Sequence, residues 1–424
     1  MTGFTFRNGQ LFADDLSCTV IAEKVGTPCY VYSAEKISDQ YRRLSGALKK
    51  FWAGPSVPLI AFACKANSNL AVINLLGSLG AGADVVSGGE VQRALAAGIP
   101  SDRIVFSGVG KTRAEIKQAL HLGIHQINVE TAGELEVIIE EAQELGVKAP
   151  LAFRYTPNVE ADTHAKISTG EDDHKFGLLE DEILSLYKRA EESGATIAKG
   201  ISVHIGSQLF DLASFEQAFT KVVALINKLR AQGCTVTIAD IGGGLGIPYQ
   251  QDQDVFDVES YARLINSVFQ PVGVSVMLEP GRFLVAEGGA LLTRVTYIKD
   301  RPERRFVIVD AGMNDLIRPT LYEAFHPVVP LVETKAPPVL SDIVGPVCET
   351  GDYFALERPL APVVSGDVLA ILCTGAYGSV MSSQYNSRPL IPEIMVKGTD
   401  WRTVRTGQEI PAIWANEAIP DWKK

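Results

Sequence analysis

The sequence has no CxxC pair: its six cysteines, Cys18, Cys29, Cys64, Cys234, Cys348 and Cys373, are scattered over 424 residues. That removes the usual spacing of a structural zinc site and fits reduced thiols better than a disulfide framework. Histidine is as scarce, and although His121 and His125 share a helical spacing they have no acidic or thiol companion, so no metal site is expected. No uninterrupted apolar stretch is long enough to span a bilayer, and Met1-Thr-Gly-Phe-Thr-Phe-Arg-Asn-Gly has no basic region followed by an apolar core. Neither a membrane span nor a signal peptide is readable, and a cytoplasmic location is the expectation. Positive charge is also short, with 39 Lys and Arg against 50 Asp and Glu and a net charge of -11, which argues against non-specific nucleic-acid binding.

What remains is ordinary globular material, 46% hydrophobic and 21% charged, in a chain long enough for two domains or one large barrel with an appendage. One stretch organises it: Phe62-Ala-Cys-Lys-Ala-Asn67 closes the apolar run 57–63, which reads as a buried strand. Lys65 therefore emerges at a strand end, as either a lid for the strand edge or a reactive amine. With period-two alternation, Lys65 facing the mouth turns Cys64 toward packing.

From residue 34 a helical pattern (Ile37, Tyr41, Leu44, Leu48) runs to Phe51. The chain then alternates short apolar runs with helical stretches. The runs are Pro58-Leu-Ile-Ala-Phe-Ala, Gly82-Ala-Asp-Val-Val, Arg103-Ile-Val-Phe-Ser, Gln126-Ile-Asn-Val, Leu151-Ala-Phe-Arg-Tyr, Gly200-Ile-Ser-Val-His, Val236-Thr-Ile-Ala-Asp-Ile and Val274-Ser-Val-Met-Leu-Glu. Helices are expected over 134–145, 180–193 and 214–232, each followed by a glycine. Eight such units predict a (β/α)8 TIM-like barrel of parallel strands, with a doubly wound open sheet as the rival. Beyond about residue 285 the rhythm gives way to strand-like segments at 291–298, 305–310, 362–364, 368–372 and 393–396, the mark of a β domain. The expected division is 1–35 as strands joining that domain, 36–284 as the barrel, and 285–424 as a C-terminal antiparallel β-barrel or sandwich.

In such a barrel the chemistry lies at the C-terminal strand ends. These ends carry Lys65, Arg154, His204 with Gly206 and Ser207, Asp240 followed by Gly242-Gly-Gly-Leu-Gly246, and Glu279-Pro-Gly-Arg282. The glycine run lacks dinucleotide spacing. After a seventh strand it is either a bare turn or a phosphate cradle of exposed backbone N–H groups. His204 is a satisfied core histidine or a flat ring stacked on an aromatic cofactor. Glu279 either pairs with Arg282 or faces a ring nitrogen and keeps it protonated. Together lysine, cradle, ring and carboxylate describe pyridoxal 5'-phosphate, whose aldehyde condenses with a lysine. A water-poor setting near cations would make Lys65 a neutral amine.

Several motifs resemble the alanine-racemase-like barrel decarboxylases: Phe62-Ala-Cys-Lys-Ala-Asn67, Ala83-Asp-Val-Val-Ser-Gly-Gly-Glu90, Thr163-His-Ala-Lys-Ile-Ser-Thr-Gly170, His204-Ile-Gly-Ser-Gln208, Gly242-Gly-Gly-Leu-Gly246 and Glu279-Pro-Gly-Arg282. Asn314-Asp-Leu-Ile-Arg-Pro319, Gly345-Pro-Val-Cys-Glu-Thr-Gly-Asp352, Gly375-Ala-Tyr-Gly378 and Tyr385-Asn-Ser-Arg-Pro389 narrow the resemblance to the diaminopimelate decarboxylase family. It implies release of carbon dioxide from meso-diaminopimelate, at its D-configured centre, to give L-lysine at the last step of lysine biosynthesis. It implies that Lys65 carries the cofactor, that His204 stacks on it, and that Ser207, Gly243, Gly244 and Tyr377 hold the phosphate. Glu279 would face the pyridinium, with Pro280, Gly281 and Arg282 also at the cofactor. Arg282, Arg318, Tyr322 and Tyr377 would bind substrate, the guanidiniums clamping its far carboxylate. Cys348 would return the proton and Glu349 contact a substrate amine, both from the partner subunit of a homodimer. The sequence departs from the family at Ala165-Lys166, where Pro-Tyr is frequent, and at Thr350, where Ser is usual.

Three other readings stay open on sequence alone. A decarboxylase for ornithine, arginine or a carboxylated polyamine on the same scaffold would mostly meet a cationic or neutral far end, leaving two arginines and a tyrosine without a second carboxylate to bind. A racemase would have no use for the Cys-Glu loop, and a non-catalytic regulator would not need Lys65, Glu279 and Cys348 together.

Overall fold

The computed structural model describes residues 2–159, 175–250 and 252–422. The chain divides into two compact units, one of Ser38–Pro248 with Asp252–Leu284, the other of Met1–Ile37, Tyr249–Gln251 and Val285–Lys424. Three short strands, β1 (Phe4–Arg7), β2 (Gln10–Ala13) and β3 (Leu16–Ser17), pair with one another, and β4 (Cys29–Ser33) follows, buried along its whole length.

The first-named unit is built on a closed barrel of eight parallel strands: β5 (Leu59–Ala63), β6 (Gly82–Val85), β7 (Ile104–Phe106), β8 (Gln126–Val129), β9 (Ala149–Tyr155), β10 (Thr196–Val203), β11 (Ile238–Asp240) and β12 (Ser275–Leu278). Closure is made by β12 against β5, with Met277 opposite Leu59. The strands read as continuous apolar runs because both faces are covered. Inside, Ala61, Val105 and Met277 form a small apolar plug. Outside, the helices Leu212–Ala231 and Val258–Phe269 bury Phe215, Phe219, Tyr261 and Phe269, whose rings meet 5.0 to 6.2 Å apart. Each such side chain contributes about 1.5–3 kcal/mol on burial. Helix starts are set by side-chain caps: Ser87, Thr112, Thr131, Asp211 and Asp257 each accept a backbone N–H of the first turn.

The second unit holds β13 (Gly289–Arg301), β14 (Arg304–Val309), β15 (Val328–Pro330), β16 (Val339–Val344), β17 (Tyr353–Leu360), β18 (Val368–Leu372), β19 (Glu393–Lys397) and β20 (Asp400–Arg405). They form a nine-stranded sheet in which β4 lies between β13 and β19. The pairing is mostly antiparallel, but β14 with β16 and β4 with β19 run parallel.

Two expectations fail locally. Residues 362–364 form no strand, because the chain turns there before β18. The strand expected over 57–63 is β5, Leu59–Ala63, and Cys64–Ala66 after it is a 3-10 turn, so period-two alternation does not govern Cys64. Cys64 is buried all the same, and burial pushes its thiol well above the ordinary range, which leaves it a packing residue. The Thr163–Gly170 motif and its Ala165-Lys166 departure lie outside the described residues.

Candidate active site

The barrel unit brings Lys65, His204, Ser207, Gly243, Gly244, Glu279, Pro280, Gly281 and Arg282 to the C-terminal ends of β5, β10, β11 and β12. Lys65 sits on the 3-10 turn after β5, where Ala63 is paired with Asp84 of β6. Its Nζ is 3.4 Å from Asp84 Oδ2, and the side chain is 39% exposed. One described neighbour is thus a fully buried carboxylate on the adjacent strand, Asp84.

Beneath it lies a polar layer on the barrel axis. Asn128 Nδ2 reaches Ser107 Oγ (3.0 Å), Ser202 Oγ (3.3 Å), Asp240 Oδ2 (3.1 Å) and Glu279 Oε1 (3.4 Å). Asp240 and Glu279 are hydrogen-bonded to each other. Two buried carboxyl groups that touch cannot both ionise. Burial, then the Asp240 and Asp84 carboxylates, drives Glu279 well above the carboxylate range, so Glu279 holds the shared proton and donates it to Asp240. Asp240 is itself pushed up to about 6 by burial, against the pull of Glu279, Asn128 and the Gly242 N–H.

The glycine run is shaped by close approach. A Cβ on Gly243 would run into the Glu279 carbonyl, and one on Gly244, at φ +98°, into the Gly206 carbonyl. Its N–H groups are not all exposed, as the cradle reading requires. Gly242 donates to Asp240 Oδ1 (3.1 Å), Gly243 to His204 Nδ1 (3.3 Å) and Gly246 to Leu209 O (2.9 Å). The inward N–H groups satisfy buried acceptors that no sequence pattern locates.

His204 follows β10 directly. Burial first, then Lys65 and Arg154, hold it well below the ordinary imidazole range, and an Nδ1 that accepts from Gly243 is that of a neutral ring. Arg282 opens the short helix Arg282–Val285 and its Nη2 donates to Ser207 Oγ at 3.1 Å; it does not pair with Glu279. The Pro280 carbonyl accepts from Ala63 N (3.2 Å), and a Cβ on Gly281 would press on Ala63 and Ala66, so this turn is packed on the lysine's own segment. Arg154 is in a closed ion pair with Glu130 at 2.9 Å.

The β unit carries the other expected residues. Arg318, buried, opens the helix Arg318–Tyr322; half-buried Tyr322 ends it. Arg318 Nη1 donates to Tyr249 Oη (3.1 Å) and to His326 Nε2 (2.9 Å), and His326 Nδ1 donates to Leu372 O (2.9 Å). Cys348 is exposed, the other five cysteines being buried. Its N–H donates to Asn386 Oδ1 (3.0 Å), and Glu349 hydrogen-bonds Tyr385, raising that phenol. Asp352 tightens the same loop, accepting from Met313 N (2.6 Å) and Val347 N (2.5 Å), while Arg388 Nε donates to Asn314 Oδ1 (3.0 Å). Three of the four β-domain motifs, all but Gly375-Ala-Tyr-Gly378, are thus one hydrogen-bonded assembly. Tyr377 is half-buried at φ +56°, a left-handed conformation that costs a non-glycine residue about 1 kcal/mol or more.

Sequence reasoning missed Asp84, Asn128 and Ser107 in the barrel, and Tyr249 and His326 in the β unit. The position of Asp84 and Asn128 inside short apolar strands is the one signal that could have found them, since a polar residue there needs buried partners.

Comparisons with known proteins fit this arrangement. Residues 35–286 match the family model for pyridoxal-dependent decarboxylase, pyridoxal binding domain. Over 423 residues the chain is 45% identical to a diaminopimelate decarboxylase of Zymomonas mobilis subsp. mobilis, covering 100% of each chain. It is 45% identical to that of Pseudomonas aeruginosa, covering 99% of each. Among solved structures, diaminopimelate decarboxylase from Helicobacter pylori complexed with L-lysine aligns with a TM-score of 0.89 at 42% identity, over 94% of this chain and 98% of that one.

Proposed function

The chain belongs to the diaminopimelate decarboxylase family of pyridoxal-dependent decarboxylases, and from that premise we propose how its residues divide the work. It is an enzyme that uses pyridoxal 5'-phosphate to convert meso-diaminopimelate to L-lysine and carbon dioxide. The ornithine, arginine and non-catalytic readings fall away with the full-length identity to relatives of that one activity.

The residues fit the cofactor on the chemistry of the donor set. The Asp240–Glu279 pair retains a proton because its carboxylates crowd one another, and a cationic ring N–H answers the same need. When bound, pyridoxal phosphate supplies the electron sink for the pair of electrons left as the carboxylate departs. Lys65 offers the amine that holds the aldehyde, with Asp84 beside it as the acceptor of an ammonium proton. Glu279, fixed by Asn128, Ser107 and Asp240, is the partner of the ring nitrogen, and neutral His204 presents a flat face to the ring. Ser207, Gly244 and Tyr377 hold the phosphate beside Gly243, whose own N–H goes to His204 Nδ1 and whose missing side chain lets the phosphate approach, with Pro280, Gly281 and Arg282 lining the cofactor. Arg282, Arg318, Tyr322 and Tyr377 bind the substrate, Arg318 taking its far carboxylate.

Cys348 returns a proton to the carbon that has lost its carboxylate, and Glu349 binds a substrate amine. Both act from the partner subunit of a cytoplasmic homodimer. The observation that carries this is the exposed Cys348 thiol on a loop held from below by Asn386 and Asp352. Mixing inactive Lys65→Ala and Cys348→Ala proteins is expected to restore up to about a quarter of wild-type activity per subunit pair, as hybrids form by random exchange. No recovery despite demonstrated exchange would sink the shared site.

A further inference from the structure

We propose that His326 is a positioning residue for recognition of the substrate's far carboxylate: it accepts one N–H of Arg318 Nη1 and so leaves the guanidinium's Nε–Nη2 edge as the fork that grips the carboxylate. The inference rests on the reading that Arg318 binds that carboxylate.

The donor and acceptor inventory fixes the imidazole without ambiguity. A carbonyl cannot donate, so His326 Nδ1, 2.9 Å from Leu372 O, carries the hydrogen. A guanidinium cannot accept, so Nε2, 2.9 Å from Arg318 Nη1, offers its lone pair. The ring is therefore neutral, and it is fully buried at the end of β18, where water cannot take its place.

Tyr249 completes the frame. Its hydroxyl accepts the other Nη1 hydrogen at 3.1 Å, its ring lies under the guanidinium with 5.2 Å from Cζ to centroid, and it meets the His326 ring edge-on at 5.4 Å. Both Nη1 hydrogens are thus used and the side chain cannot rotate about its last bond without losing one. The edge that remains, Nε with Nη2, is the geometry for a bidentate carboxylate. Because both acceptors are neutral, the positive charge is not neutralised by its own scaffold. Arg318 makes no ion pair among the described residues.

The test separates His326 from Arg318. In cofactor-loaded enzyme, binding of L-lysine, which keeps the far carboxylate, is compared with binding of cadaverine, the same chain without it. His326→Gln keeps an acceptor near the Nε2 position and His326→Asn, too short, does not. Asn is expected to cut the preference for L-lysine about tenfold while cadaverine binding stays unchanged, and Gln to hold it within about twofold of wild type. Equal preferences in the Asn and Gln variants would overturn the proposal, as would an equal loss for both ligands, the mark of mere structural damage. Arg318→Leu must abolish the preference. If it does not, the assignment of Arg318 itself falls, an outcome distinct from failure at His326.

Discussion

Two buried arginines, one in each unit, are held by partners of different charge. In the barrel, Arg154 pairs with Glu130, which is fully buried and accepts in addition from Gly108 N and Gly177 N at 3.0 Å each. The charges cancel, and the carboxylate's remaining lone pairs pin two loops. In the β unit, Arg318 is held by a neutral imidazole and a phenol. An uncancelled buried cation costs several kcal/mol in desolvation, a cost that an anionic ligand offsets. A neutralised guanidinium is architecture; one left charged is a receptor.

The sharpest way to break this contrast is to uncancel the barrel pair. Glu130→Gln should destabilise the fold by about 3–5 kcal/mol, read by denaturant unfolding, because it leaves the Arg154 charge uncancelled and turns an NH2 donor on one of the two loop N–H groups. Arg318→Leu should do the reverse. Its kcat/KM for meso-diaminopimelate is expected to fall about a hundredfold or more, with unfolding free energy within about 1 kcal/mol of wild type. If the two variants damage stability alike, the distinction between architecture and receptor is wrong.

Asp315 is the intermediate case, a buried carboxylate only 3.9 Å from the Arg388 guanidinium yet crowded by Asp310 and Asp352. Burial outweighs Arg388 and pushes it from 3.8 up to about 6. A folded-state value above the unfolded one means that its stabilising contribution is complete below pH about 4 and is lost as pH rises through about 6, on the order of 3 kcal/mol. Asp315→Asn should flatten that part of the stability–pH curve. An unchanged slope between pH 4 and 7 would show that Arg388 does cancel the charge.

The barrel was legible because a strand covered on both faces is a short apolar run, and because chemistry gathers at one end of it. The β unit was harder to read. β17 has Glu357 and Pro359 exposed and Arg358 half-buried, and β20 is exposed or half-buried along its whole length, so neither shows an apolar pattern. Lys65, His204 and Glu279 could be noticed singly, as polar groups where strands stop. Their hydrogen-bond partners could not, since an acceptor such as Asp240 for the Gly242 N–H is a property of the turn's curvature. His326 was invisible for a plainer reason: Tyr249 and Leu372, which define its role, lie 69 residues before Arg318 and 46 after His326.

The place of β4 bears on how the protein is made. Tyr32 lies opposite Gly289 and Tyr30 opposite Glu393. At about 5–20 residues per second of synthesis, an apolar strand waits on the order of tens of seconds on the ribosome for both of its neighbours. The whole barrel emerges, and can close, during that wait. β4 is thus a segment of the nascent chain that gains from a chaperone's cover until both neighbours are made.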